Sequence, residues 1–84
     1  MNLILSDQAW EDYQYWQETD KKVVRRIHEL IRDIKRNAHS GIGKPEPLRH
    51  SLAGYWSRRI DREHRVIYRV TEQGMLLAQM RYHY

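Results

Sequence analysis

Hydrophobic and polar positions divide the chain into two helices followed by strands. Leu3-Ile4-Leu5 predicts a short strand that ends at Ser6-Asp7. Ser6 is suited to cap a helix, and Asp7 to sit in its first turn, where a carboxylate meets the positive end of the helix dipole. Ala9, Trp10, Tyr13 and Trp16 recur at helical spacing, which predicts a helix running to about Glu18. Thr19-Asp20 interrupts it, and either residue can cap the next helix. From Lys21 to about Arg36, Val23, Val24, Ile27, Leu30, Ile31 and Ile34 line one face, with Lys and Arg on the other. So short a connection predicts an antiparallel helical hairpin.

Residues 37–48 read as the one long loop. Within it Pro45 and Pro47 fix their own φ and push the residues before them towards extended backbone, so Glu46 is stiffly held. Tyr55–Ile60, His64–Val70 and Met75–Tyr84 then predict three strands in an antiparallel meander. If one face is buried throughout, Trp56, Ile60, Val66, Tyr68, Val70, Leu76, Ala78, Met80 and Tyr82 share it, which requires Arg58 to be buried or to snorkel. The opposite face then collects Tyr55, Ser57, Arg59, Arg65, Ile67, Arg69, Leu77, Gln79, Arg81 and His83. On this register Arg65 lies across from Arg81 or His83. The expected fold is α+β: an N-terminal helical hairpin packed on a small twisted antiparallel sheet, with a short N-terminal strand.

Eighty-four residues are expected to form one domain, 1–84, whose core is thin because a chain this size buries only about 60–65% of its unfolded surface. The absence of Cys removes disulfides, thiolate metal sites and cysteine nucleophiles. No apolar run approaches the ~20 residues of a membrane span, and the apolar start is too short for a signal peptide, so the expected location is the cytoplasm, with no membrane partner. Fifteen Lys and Arg against eleven Asp and Glu give +4, which favours polyanionic partners. Acids gather in the first third and arginines in the strand-like second half. The basic outer face of the second helix reads as a solvated surface, and His28 beside it as an ordinary surface histidine.

Arginines opposed on a sheet face repel unless an anion lies between them, and guanidinium forks match a phosphodiester's oxygens bidentately. An imidazole, a stiffly held carboxylate and a terminal phenol in the same region are the parts for cleaving RNA through its own 2′-OH. That chemistry needs no metal or other cofactor, and His50, His64 and His83 lack ligand spacing. Basic concave sheets also bind without catalysing.

The residues Tyr13-x-Tyr15-Trp16-Gln17-x-Thr19-Asp20, Gly43-Lys44-Pro45-Glu46-Pro47-Leu48, Gly54-x-Trp56-Ser57-Arg58-Arg59-Ile60, Glu63-His64-Arg65 and Arg81-Tyr82-His83-Tyr84 span essentially the whole chain. Together they resemble the YoeB toxins of the RelE/ParE superfamily. The resemblance implies a ribosome-dependent endoribonuclease that cleaves mRNA in the A site and is neutralised by a YefM-type antitoxin. It implies that Glu46 is the general base, Arg65 the phosphate stabiliser and His83 the general acid, with Tyr84 and Arg59 in support. Lys44, Arg49 and Arg81 are the further phosphate-binding candidates; Arg49 stands where a relative carries Lys, keeping the charge but changing its geometry. Contacts to ribosomal RNA through the basic surface, to operator DNA through the antitoxin complex, and with a second copy in a homodimer complete the implied partners. The rival reading is a non-enzymatic inhibitor or nucleic-acid-binding module on the same scaffold, such as a ParE-like gyrase inhibitor or an operator-binding co-repressor.

Overall fold

In the computed structural model, which describes residues 1–82, two helices pack on one face of a five-stranded sheet. Ser6 caps the first of them, α1 (Asp7–Thr19), by accepting the Ala9 N–H at 3.0 Å. Asp20 alone separates it from α2 (Lys21–Arg36), and its carboxylate accepts the N–H groups of Lys22 and Val23. Both helices therefore start where capping chemistry indicates.

The strands are β1 (Leu3–Leu5), β2 (Glu46–Pro47), β3 (Trp56–Arg59), β4 (Arg65–Thr71) and β5 (Gly74–Gln79), ordered β1-β5-β4-β3-β2. The sheet is mixed rather than purely antiparallel, because β1 lies parallel to β5. No tight turn ties β1 to its neighbour; the helical hairpin follows it and carries the chain away, which permits the parallel sense. The long loop contributes β2, its extended backbone pairing with β3, and a short 3₁₀ turn at His50–Leu52 follows.

Between β3 and β4 the register keeps the expected parity, with Trp56 opposite Tyr68 and Arg58 opposite Val66. Between β4 and β5 it does not. The two-residue turn Glu72-Gln73 sets Thr71 opposite Gly74, so even positions of β4 pair with odd positions of β5. Met75 and Leu77 consequently enter the core, and Leu76, expected there, lies on the other face. An extra residue at Ala78, between the Tyr68–Leu77 and Ile67–Gln79 pairs, restores parity in time for Met80 to be buried. The strand then stops at Gln79 instead of running to the C-terminus, and Tyr82, expected in the core, is 56% exposed.

The core joins Trp16, Val23, Ile27, Leu30 and Ile34 of the helices to Val66, Tyr68, Met75, Leu77 and Met80 of the sheet and the segment after it. Each such side chain contributes about 1.5–3 kcal/mol when fully buried. Arg58 is buried on this side, as the parity of β3 requires. With the helices on one face, the other face of β2, β3 and β4 is left to carry chemistry.

Candidate functional site

Glu46 lies opposite Ser57, Ser57 opposite Ile67, and Ile67 opposite Gln79, forming a row across the sheet. Two residues further along, Arg59 lies opposite Arg65. Side chains alternate along a strand, so Glu46, Arg59 and Arg65 share the face away from the helices, in rows roughly 7 Å apart. The flanking prolines keep Glu46 extended. Arg59 is fixed by its own N–H, which donates to the Gly43 carbonyl at 2.7 Å.

Like charges directly opposed across a sheet repel. Here no carboxylate among the described residues forms an ion pair with Arg59 or Arg65. Two polar atoms of this face, Ser57 Oγ and Arg65 Nη1, are buried without a hydrogen-bond partner among the described residues. Buried polar groups are nearly always paired, and a guanidinium N–H of Arg65 next to a second guanidinium has the chemistry to take the oxygens of an anionic group.

The remaining candidates are placed less uniformly. Arg65 faces Arg59 on its β3 side. On its other side the β4–β5 pairs end at Ile67–Gln79, and its N–H reaches the Tyr82 carbonyl rather than pairing with Arg81, while the other expected neighbour, His83, is outside the described residues. The Arg81 guanidinium lies 3.6 Å from the centre of the Tyr15 ring and 4.6 Å from that of Tyr82, and so is engaged with α1. Arg49 is exposed and lines an open groove with Glu46, Pro47, Leu48, His50 and Ser51. Lys44 is exposed, two residues before Glu46. His83 and Tyr84 lie outside the described residues.

Four hydrogen bonds hold the segment that leads to them. Asp12 Oδ2 accepts the Met80 N–H at 2.9 Å, and the Trp16 indole N–H donates to the Met80 carbonyl at 2.8 Å. The Tyr82 N–H donates to His64 Nδ1 at 2.7 Å, and the Arg65 N–H to the Tyr82 carbonyl at 3.2 Å. Between them they maintain Tyr82 at φ 62°, a left-handed conformation that a non-glycine residue adopts only at a cost. As an acceptor, Nδ1 of His64 carries no proton in this arrangement. Asp12 was not singled out from sequence, and His64 and Trp16 entered only as motif residues, His64 weighed as a metal ligand and Trp16 as core, neither as a holder of the C-terminal segment. Asp12 had a signal: it is an acid on the apolar stripe between Ala9 and Trp16. For His64 the motif with Glu63 and Arg65 marked the position but not this role, since its partner is a backbone amide 18 residues away. Among the described residues no three His, Asp or Glu side chains are grouped so as to hold a metal ion.

Comparison with known proteins matches residues 5–84 to a family described as the YoeB-like toxin of bacterial type II toxin-antitoxin systems. Toxin YoeB of Escherichia coli K12 is 57% identical over 84 residues, covering all of both chains. Among solved structures, a YoeB/ParE toxin from Agrobacterium tumefaciens superposes with a TM-score of 0.96 at 49% identity, again covering both chains fully. The toxin of a YoeB–YefM complex from Staphylococcus aureus gives a TM-score of 0.92 at 48% identity over all of this chain and 98% of that one.

Proposed function

This chain belongs to the YoeB-like toxins of bacterial type II toxin-antitoxin systems, and from that premise we propose that it is an endoribonuclease cleaving messenger RNA in the A site of the ribosome. The observation that carries the reading is the face away from the helices, on which Arg59 opposes Arg65 with no carboxylate paired to either among the described residues, and on which Glu46 stands alongside. A phosphodiester supplies the missing negative charge. Glu46 removes the proton of the 2′-OH, which attacks the adjacent phosphorus. Arg65 and Arg59 stabilise the charge that develops on the non-bridging oxygens, and His83 protonates the departing 5′ oxygen, with Tyr84 in support. Those groups supply both proton transfers and the charge stabilisation, so the step is metal-independent.

The ribosome positions the substrate. The basic outer surface of α2, where Arg25, Arg26 and Arg32 line one groove, attracts ribosomal RNA by its charge. The antitoxin partner is of the YefM type, in keeping with the Staphylococcus aureus complex. It reaches operator DNA through that complex, and self-association is open to the chain as it is to the relative solved as a dimer.

The test is the nucleophile. Replacing the 2′-OH by hydrogen at the cleaved nucleotide should stop the reaction on programmed ribosomes while leaving binding nearly unchanged, because phosphates and the ribosome supply most of the affinity. Products of the unmodified message should carry a 2′,3′-cyclic phosphate, or the 3′-phosphate from its opening, opposite a 5′-hydroxyl. Undiminished cleavage of the 2′-deoxy message, or 5′-phosphate ends, would make water the nucleophile and remove Glu46 and His83 from these roles. Translation arrest that survives loss of Glu46, Arg65 and His83 together would identify a binding module instead.

A further inference from the structure

Arg58 points away from the open face and is 0% exposed. Its Nη1 donates to Asp33 Oδ2 at 2.6 Å and to the Ile42 carbonyl at 3.1 Å, and its Nη2 to the carbonyls of Asn37 at 2.7 Å and Ser40 at 3.1 Å. Its Nε donates to the Tyr68 hydroxyl at 3.1 Å, which in turn donates to the Ala38 carbonyl at 2.6 Å. Asp33 Oδ2 also accepts the Ile42 N–H at 2.9 Å. Most of the loop between α2 and β2 is thus tied to one guanidinium and one carboxylate. The loop also presses on α2: a Cβ added at Gly41 would strike the Asp33 carboxylate, and one at Gly43 would lie 2.8 Å from Leu30 Cδ2.

That loop delivers Glu46. Gly43 gives its carbonyl to the Arg59 N–H, and three residues later Glu46 pairs with Ser57. Strand β2 has only two residues, both exposed and at the sheet edge, so its own ladder is too short to set its position firmly. Arg58 sits between Ser57 and Arg59, whose side chains project to the opposite face. One strand therefore carries the anchor of the loop on its helix side and the site on the other.

We propose that Arg58 and Asp33 are positioning residues that act through this loop to set the Glu46 carboxylate against Arg59 and Arg65. The proposal rests on Glu46 being the base in the function proposed above. An ion pair taken out of water adds little net stability over an apolar pair of the same volume, whereas a planar five-donor fork spread over three carbonyls, a carboxylate and a phenol specifies one backbone path.

Arg58→Lys keeps the charge but offers three donors from a single nitrogen. Hydrogen exchange at the amides of residues 38–44 and 46 should accelerate about tenfold or more, with α1 and β4 unchanged. Single-turnover cleavage on programmed ribosomes should fall on the order of 10²-fold, with affinity for the ribosome held within about twofold, because displacing a catalytic group by ~1 Å costs rate rather than binding. In a Glu46→Gln background the same substitution should slow cleavage by less than about threefold, the carboxylate it positions being gone. Equal slowing in both backgrounds, weaker binding at an unchanged rate, or exchange rising uniformly over the chain would each overturn the proposal. If Arg58→Lys fails to fold, Asp33→Asn, which keeps an acceptor for the Ile42 amide, is read by the same criteria. A parent protein that cleaves nothing overturns the endoribonuclease reading and this assignment together, while cleavage with additive effects overturns this assignment alone.

Discussion

Two guanidiniums facing one another across neighbouring strands cost energy in the free protein and return it when an anion arrives. Removing one should therefore act mainly where charge develops. Arg65→Ala is expected to cost on the order of 3 kcal/mol of transition-state stabilisation, roughly 10²-fold in single-turnover rate. A change confined to binding would assign Arg65 to substrate positioning instead. On the helix side, the Asp33 carboxyl is held below its ordinary 3.8, first by the Ile42 N–H and second by Arg58. A depressed carboxyl stabilises the fold above its ordinary value and loses that contribution as pH falls through the lowered one. Asp33→Asn should flatten the acid side of the stability curve below about pH 4 and leave its shape near neutrality unchanged, as read from urea midpoints against pH. The neighbouring Tyr68 phenol is shifted the other way, raised above 10.0 by burial, so it stays a neutral donor to the Ala38 carbonyl.

At the scale of elements, α1 both packs the core and secures the C-terminal segment. Ala9 and Trp16 pack into the core, and Asp12 and Trp16 together satisfy both backbone groups of Met80 after it leaves the ladder. Without that clamp, a buried amide would be left unpaired just before the tail. Asp12→Ala should cost about 1–3 kcal/mol in denaturant unfolding, the usual penalty for an unsatisfied buried donor. Asp12→Asn, which keeps an oxygen acceptor, should recover part of it. A neutral effect of the alanine substitution would mean that the Met80 amide finds another acceptor. The bulge at Ala78 belongs to the same design, since it turns Met80 inward to where that clamp can reach it.

For the molecule as a whole, the net charge of +4 and a basic face opposite the helices favour an acidic partner. A YefM-type antitoxin should engage that face through a segment that orders on binding and covers Arg59 and Arg65. Its association rate should fall roughly tenfold or more from low to high salt, with a much smaller change in dissociation. Stopped-flow binding measures both. Salt-independent association, or exchange protection limited to the outer face of α2, would place the antitoxin elsewhere.

Local chemistry was enough for the parts of this protein that depend on near neighbours. Caps at Ser6 and Asp20, the helical periodicity of residues 9–34 and the extended Pro45-Glu46-Pro47 were legible because each depends on residues a few positions apart. The strand segments and the even-numbered core face of β3 and β4 were legible for the same reason, as was the burial that this face imposed on Arg58. The two-residue turn at Glu72-Gln73 and the bulge at Ala78 were not. Alternation looks continuous through residues 75–82, and only pairing with β4 shows which positions turn inward. Likewise the loop and helix partners of Arg58 and the clamp of Asp12 and Trp16 on Met80 join residues far apart in the chain. Those contacts exist only once the helices have closed over the sheet, so tertiary packing alone decided them.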